Sequence, residues 1–290
     1  MAREFDNRSD LGDFLHRSES MNPGNPLHTR YEPGEWASHA IKEVFRKYGD
    51  IVDVKPNSLQ KFGENLLVGT TQATIATLPS GILAETLVTA NTIDTLSSSS
   101  AGDTQDYYIE GQTVSGGVFT FVSQTITANG QNKVVLDTPL ARCTRIANMG
   151  ATDNAGIVSV YEETAISGGV PSDGSKVHAS VPIGENQTLK AMTAISGNEY
   201  LFLTDIYASL NKKTGGSAVI RLRVRDAGGV FRTVFKRAVN SLGPDLTMTF
   251  RPYLIIAQNS DIMLTAEADG ASTAVAGGFN GVLAAVRKDN

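Results

Sequence analysis

The stretch from Thr104 to Thr138, TQDYYIEGQTVSGGVFTFVSQTITANGQNKVVLDT, constrains the fold more than any other part of the chain. Short runs of β-branched and aromatic residues are cut by turn residues, which is a strand pattern. Asn129-Gly130 has the composition of a two-residue type I′ turn, where both central positions need positive φ. Folding about that turn predicts Thr127 opposite Asn132, Thr125 opposite Val134 and Ser123 opposite Leu136. Phe119, Phe121, Val134 and Leu136 then share one face, and Val122, Ile126 and Val135 the other, because side chains alternate along a strand. Apolar groups on both faces need cover on both sides, from a second sheet or a neighbouring chain.

Composition narrows the class. With 41% hydrophobic and 19% charged residues, the chain can bury a core, and its 28 glycines suit many turns. The net charge of −5 argues against a binder held to nucleic acid by phosphate contacts. Cys143 is the only cysteine, so an internal disulfide or a cysteine-based zinc site is ruled out. The amino-terminal MAREFDNRSDLGDF lacks an apolar core of signal-peptide type, and no apolar run is long enough for a membrane span. The expectation is a soluble protein made in a cytosol.

Residues 1–64 differ from the rest, with eleven of the thirty acidic residues, nine of the twenty-five basic ones and the single Trp. They are expected to form an extended arm with one amphipathic helix over 35–48. There Trp36, Ile41, Phe45 and Tyr48 belong to one apolar stripe, and Gly49 follows as a C′ residue. These four side chains are the candidate partner anchors, since buried aromatics dominate interface energy. Residues 65–163 are expected to form a first β-sandwich region, with nine acidic residues against three basic ones and Ser97–Gly102 as a loop tip. Residues 164–176 are the expected linker. Residues 177–290 are the expected second sandwich, of jelly-roll type, because many short strands follow at turn spacing with no helical pattern.

In that last region Ile220, Leu222 and Val224 alternate with Arg221, Arg223 and Arg225, and the turn Asp226–Gly229 leads into a second strand. Pairing about the turn predicts Val224 beside Phe231, Leu222 beside Thr233 and Ile220 beside Phe235. Arg223 then faces Arg232, and one basic face holds Arg221, Arg223, Arg225, Arg232 and Lys236. Two readings stay open: a solvated face countered by local carboxylates, or a contact with an acidic region of another subunit. Nucleic acid is disfavoured, as no aromatic is expected to interleave the face.

Catalytic and metal-site patterns are missing from the sequence. His16, His28, His39 and His178 are scattered without metal-ligand spacing, and read as ordinary surface or interface residues. The chain lacks a G-x-S-x-G elbow, a P-loop and a calcium loop. Glu162-Glu163 carry no local signature of a glycosidase. Cys143 reads as a small buried hydrophobe. The expectation is a non-enzyme without cofactor, metal or small-molecule substrate.

Several segments resemble virion structural proteins of tailed bacteriophages, those of aquatic hosts in particular. They are Lys61-Phe-Gly-Glu-Asn65, Leu67-Val-Gly-Thr70, Ile109-Glu-Gly111, Ser123–Gly130, Leu140–Ile146 and Phe250–Ile262. The resemblance covers roughly residues 60 to 286. It implies a non-enzymatic part of the particle. Head decoration (cement) proteins of this kind work as trimers on the head exterior, assembled in the host cytoplasm. The implied partners are then the major capsid protein and neighbouring copies of the chain, without nucleic acid or membrane. A tail or fibre host-binding module, or a head–tail connector component, is the alternative.

Overall fold

Alternation along the chain is what organises the molecule: Ala218, Ile220 and Leu222 are buried, and the residues between them point the other way and are partly exposed. The computed structural model describes residues 56–79, 82, 85–211, 216–270 and 273–285. The expected helix over 35–48, and nearly all of the arm, lie outside them.

The first strands are β1 (Pro56–Val68), β2 (Ala73–Thr74), β3 (Ile93–Ser98), β4 (Asp106–Ser115), β5 (Val118–Thr127) and β6 (Val134–Leu140). Then come β7 (Arg142–Asn148), β8 (Val158–Glu162), β9 (Ile166–Ser167), β10 (Val170–Pro171), β11 (Val177–Val181) and β12 (Met192–Ala194). The last are β13 (Glu199–Asn211), β14 (Ser217–Asp226), β15 (Arg232–Asn240), β16 (Asp245–Ile256), β17 (Ser260–Ala268) and β18 (Thr273–Ala285).

Eight of these strands build a two-layer sandwich with sheets ordered β1-β18-β13-β16 and β12-β17-β14-β15. Successive members change sheet at every connection except the β14–β15 hairpin, which is the path of an eight-stranded jelly roll. Leu201, Leu203, Ile206, Ile220, Leu222, Leu264 and Phe279 fill the space between the layers. Each fully buried side chain of this size contributes roughly 1.5–3 kcal/mol by leaving water.

The other sandwich is inserted between the first two jelly-roll strands. After β2 the chain leaves, and it returns beside its own exit: Ala76 bridges Lys190, and Ala191 N donates to Ile75 O at 2.9 Å. Gly63 of β1 lies flat against this crossing. A Cβ at Gly63 would sit 2.1 Å from Ile75 O and 2.4 Å from Ala191 N. In the insert, the sheet β11-β8-β3-β6 faces the sheet β5-β4-β7 over Ile93, Leu96, Ile109, Leu140, Ile146 and Val160.

The fold is all-β with two sandwiches, one a jelly roll, as the sequence predicts. Its partition differs. The expected boundary at 64/65 falls inside β1, which pairs with β18 at the far end of the chain. The expected linker 164–176 instead carries the small β9–β10 ladder, and β11 completes the insert as an edge strand beside β8. The jelly roll is therefore discontinuous in sequence, which strand spacing does not reveal.

Asn129-Gly130 is a turn, but not the hairpin predicted. β5 pairs with β4, from Ser115 opposite Val118 to Asp106 opposite Thr127. Gly116 (φ 57°) and Gly117 (φ 80°) supply the two positive φ angles of that hairpin. The turn at Asn129 carries the chain from one layer to the other, with Gly130 N donating to Asp103 O at 2.8 Å. Its glycine is required, because a Cβ there would meet Ala101 O at 2.6 Å. Phe121 and Val135 consequently lie exposed, while Leu136 and Ile126 are buried. Ser97 and Ser98 are likewise strand residues rather than a loop tip. They are buried because each hydroxyl has a partner, Ser97 Oγ with Gly169 O at 2.7 Å and Ser98 Oγ with Asp103.

Candidate functional site

Two bulges build a seam of buried charge between the jelly roll and the insert. The register of β7 against β4 slips so that Thr144 is the extra residue, and that of β11 against β8 slips so that His178 is. Bulges turn residues out of the ladder and re-aim them. Lys190 Nζ donates to Cys143 O at 2.7 Å and His178 O at 2.8 Å, and lies 2.6 Å from Glu85 Oε2. Lys61 Nζ donates to Thr144 O at 3.2 Å. The fully buried His178 ring places Nδ1 3.4 Å from Glu85 Oε1 and Nε2 3.2 Å from Glu162 Oε1.

Environment sets the charge states here. Burial works to raise the pKa of Glu85, but Lys190 and His178 together outweigh it and hold the carboxyl below its usual range. Burial pulls Lys61 down to about 8, against the attraction of Glu110. Burial also pushes the Cys143 thiol up to about 12, so Cys143 is an inert core residue.

Farther along the seam, Asp261 takes two guanidinium groups. Its Oδ1 accepts from Arg142 Nε at 2.8 Å, and its Oδ2 accepts from Arg142 Nη2 at 3.1 Å and Arg225 Nε at 2.9 Å. Arg142 also lies over the Phe119 ring, 5.1 Å from its centre. Since Arg142 belongs to the insert and Asp261 to the jelly roll, this pair ties the two sandwiches together.

The outer face of β14 carries the expected basic row in altered form. A bulge makes Val234 the extra residue, so Arg221 faces Lys236, Arg223 faces Thr233 and Val224 faces Arg232. Directly opposed residues share a face. Arg232 therefore leaves the row, and the expected Arg223–Arg232 opposition does not occur. Arg221 Nη2 pairs with Glu267 Oε2 at 2.7 Å and Arg225 with Asp261, which relieves part of the repulsion. An aromatic does join this face: Phe231 lies under Arg223 at 5.1 Å and Arg225 at 4.7 Å. Burial lowers the pKa of Arg223, with Arg221 adding to it.

The anchors Trp36, Ile41, Phe45 and Tyr48 lie outside the described residues, as do His16, His28 and His39. His178, expected at a surface or interface, is a core residue of the insert. Among the described residues, no cluster of His, Cys, Asp and Glu is placed to hold a metal ion. Lys61, Glu85, Lys190 and Asp261 are far apart in the chain, and no motif in the sequence groups them as a site. The one local trace is Lys61 at an otherwise inward-facing strand position, opposite the buried Phe279.

Comparison with known proteins adds little. No protein-family model matches the chain, and no curated protein matches it. Solved structures with some likeness include the infectious bursal disease virus Gt strain (13% identity, TM-score 0.17, covering 86% of this chain and 83% of that one). The VP2 subviral particle of infectious bursal disease virus is another (13% identity, TM-score 0.19, covering 87% and 83%). Likenesses of that size carry no argument, and the jelly roll rests on the strand order alone.

Proposed function

We propose that the chain is a non-enzymatic virion structural protein, and within that class a decoration (cement) subunit on the head of a tailed bacteriophage. The observation that carries this reading is the eight-stranded jelly roll with a second sandwich set between its first two strands. Jelly rolls form viral capsid domains as well as lectins and cupins, so the step from fold to role is one of analogy. The phage-like segments quoted above choose among those roles.

The partners are the major capsid protein and neighbouring copies, in a trimer. Binding the assembled shell and not its free subunits stabilises the shell by mass action, and several weak contacts acting together raise the avidity. The arm anchors Trp36, Ile41, Phe45 and Tyr48, with the Arg221, Arg223 and Lys236 face, are the contact candidates. Imaging of the particle with copy counting tests the reading. Decoration requires copies spread over the whole shell. Density confined to the tail would replace it with a fibre or host-binding role, and a single ring at the portal vertex with a connector.

A further inference from the structure

A cleft of about 420 Å³ runs along edge strand β1 where it meets the insert. That volume is in the range of small-ligand sites, roughly 300–1,000 Å³. Lys61, Arg145 and Glu110 line it, together with the polar side chains of Gln60, Gln187 and Tyr207. Lys61 is 7% exposed, and its ammonium has one acceptor, the Thr144 carbonyl. No carboxylate among the described residues lies within ion-pair distance of it. Buried cations are ordinarily paired, because desolvating one costs several kcal/mol.

The surrounding charges do not close the gap. Lys190 is matched by Glu85, and the half-exposed Arg145 reaches Glu110 only at 3.8 Å. Among the residues lining the cleft, Lys61 and Arg145 against Glu110 leave a surplus of one positive charge, and the Asp205 carboxylate acts on the Tyr207 end from outside that lining. Tyr207 reaches β1 by lying across Gly278, where a Cβ would be 2.5 Å from its hydroxyl. The side-chain amides of Gln60 and Gln187 and the Tyr207 hydroxyl make no hydrogen bond to other described residues, although burial and, after it, the Asp205 carboxylate raise the Tyr207 pKa. The wall thus offers one charge for a carboxylate and several uncommitted groups for hydroxyls.

We propose that this cleft binds a small monocarboxylate bearing hydroxyl groups, the chemistry of a uronic-acid sugar residue. Lys61 and Arg145 take the carboxylate, and Gln60, Gln187 and Tyr207 take the hydroxyls. A phosphate dianion fits the single surplus charge less well. The inference does not rest on the virion reading and stands or falls separately from it.

Titration calorimetry of the full chain at pH 7 with D-glucuronate, D-glucose, acetate and inorganic phosphate tests it. Glucuronate is expected to bind at least about tenfold more tightly than glucose, as charge-assisted hydrogen bonds of 1.5–3 kcal/mol imply. Lys61→Gln and Arg145→Gln should each weaken it about tenfold by the same reasoning. Arg145 is half exposed, so its variant keeps the fold even if Lys61→Gln does not. Equal binding of glucose, acetate as tight as glucuronate, a preference for phosphate, or full binding by Arg145→Gln would each overturn the assignment.

Discussion

Replacing Lys61 with methionine should stabilise the protein at neutral pH, although the residue lies buried. Its ordinary pKa of 10.5 falls to about 8 in the folded chain, because burial penalises the ammonium. At 1.36 kcal/mol per unit, holding the charge at pH 7 costs about 3 kcal/mol. Methionine removes that cost but leaves Thr144 O without its donor, a loss of about 1–3 kcal/mol. The two nearly cancel, so the net gain at pH 7 is small, about 1 kcal/mol.

The pH dependence is more telling. Because the folded pKa lies below the unfolded one, both states are protonated below pH 8 and the penalty is fully present. Between pH 8 and 10.5 the unfolded chain binds more protons, so the parent gains stability as pH rises. By pH 9.5 about 2 kcal/mol should be recovered in the parent and none in Lys61→Met. Urea unfolding of both proteins at pH 7 and 9.5 measures this, and the difference between them cancels every other titrating group. A gap that stays the same at the two pH values would show that Lys61 is not a desolvated cation.

Three further outcomes follow from the same structure. Asp261→Asn leaves the buried Arg142 and the partly buried Arg225 without a counter-charge, and should cost about 3–5 kcal/mol in urea unfolding, chiefly through Arg142. Gly63→Ala drives a methyl group into the backbone at Ile75 and Ala191, and should cost more than about 3 kcal/mol, seen as a lowered melting midpoint. Lys236→Glu combined with Arg223→Glu reverses charge at partly exposed positions. It should abolish co-sedimentation with the particle while leaving the urea midpoint nearly unchanged; intact binding would remove this face from the proposed contact.

Much of the sandwich character was legible locally. Ile220 and Leu222 alternate with arginines, and that period fixes which side of β14 enters a core whatever the partner strand. The Asp226–Gly229 turn was legible for the same reason: Gly229 N donates to Asp226 O at 2.8 Å, and Gly228 takes positive φ. Register was not. A single bulge at Val234 moved Arg232 off the basic face, and nothing in the spacing of Arg232 and Lys236 announces an extra residue.

The sequence by itself determined that this chain makes strands, where many of its turns fall, and that Cys143 is a core group and not a reactive one. Each follows from forces acting within a few residues: backbone sterics, alternation and side-chain polarity. Only the tertiary structure decided that β1 closes the jelly roll beside β18, that Gly116-Gly117 and not Asn129-Gly130 makes the β5 hairpin, and that Lys61, Glu85, His178 and Lys190 meet in one seam. Those outcomes depend on which surfaces are buried together across long stretches of chain. A lysine acquires its shifted charge equilibrium from that burial, and residue type alone does not encode it.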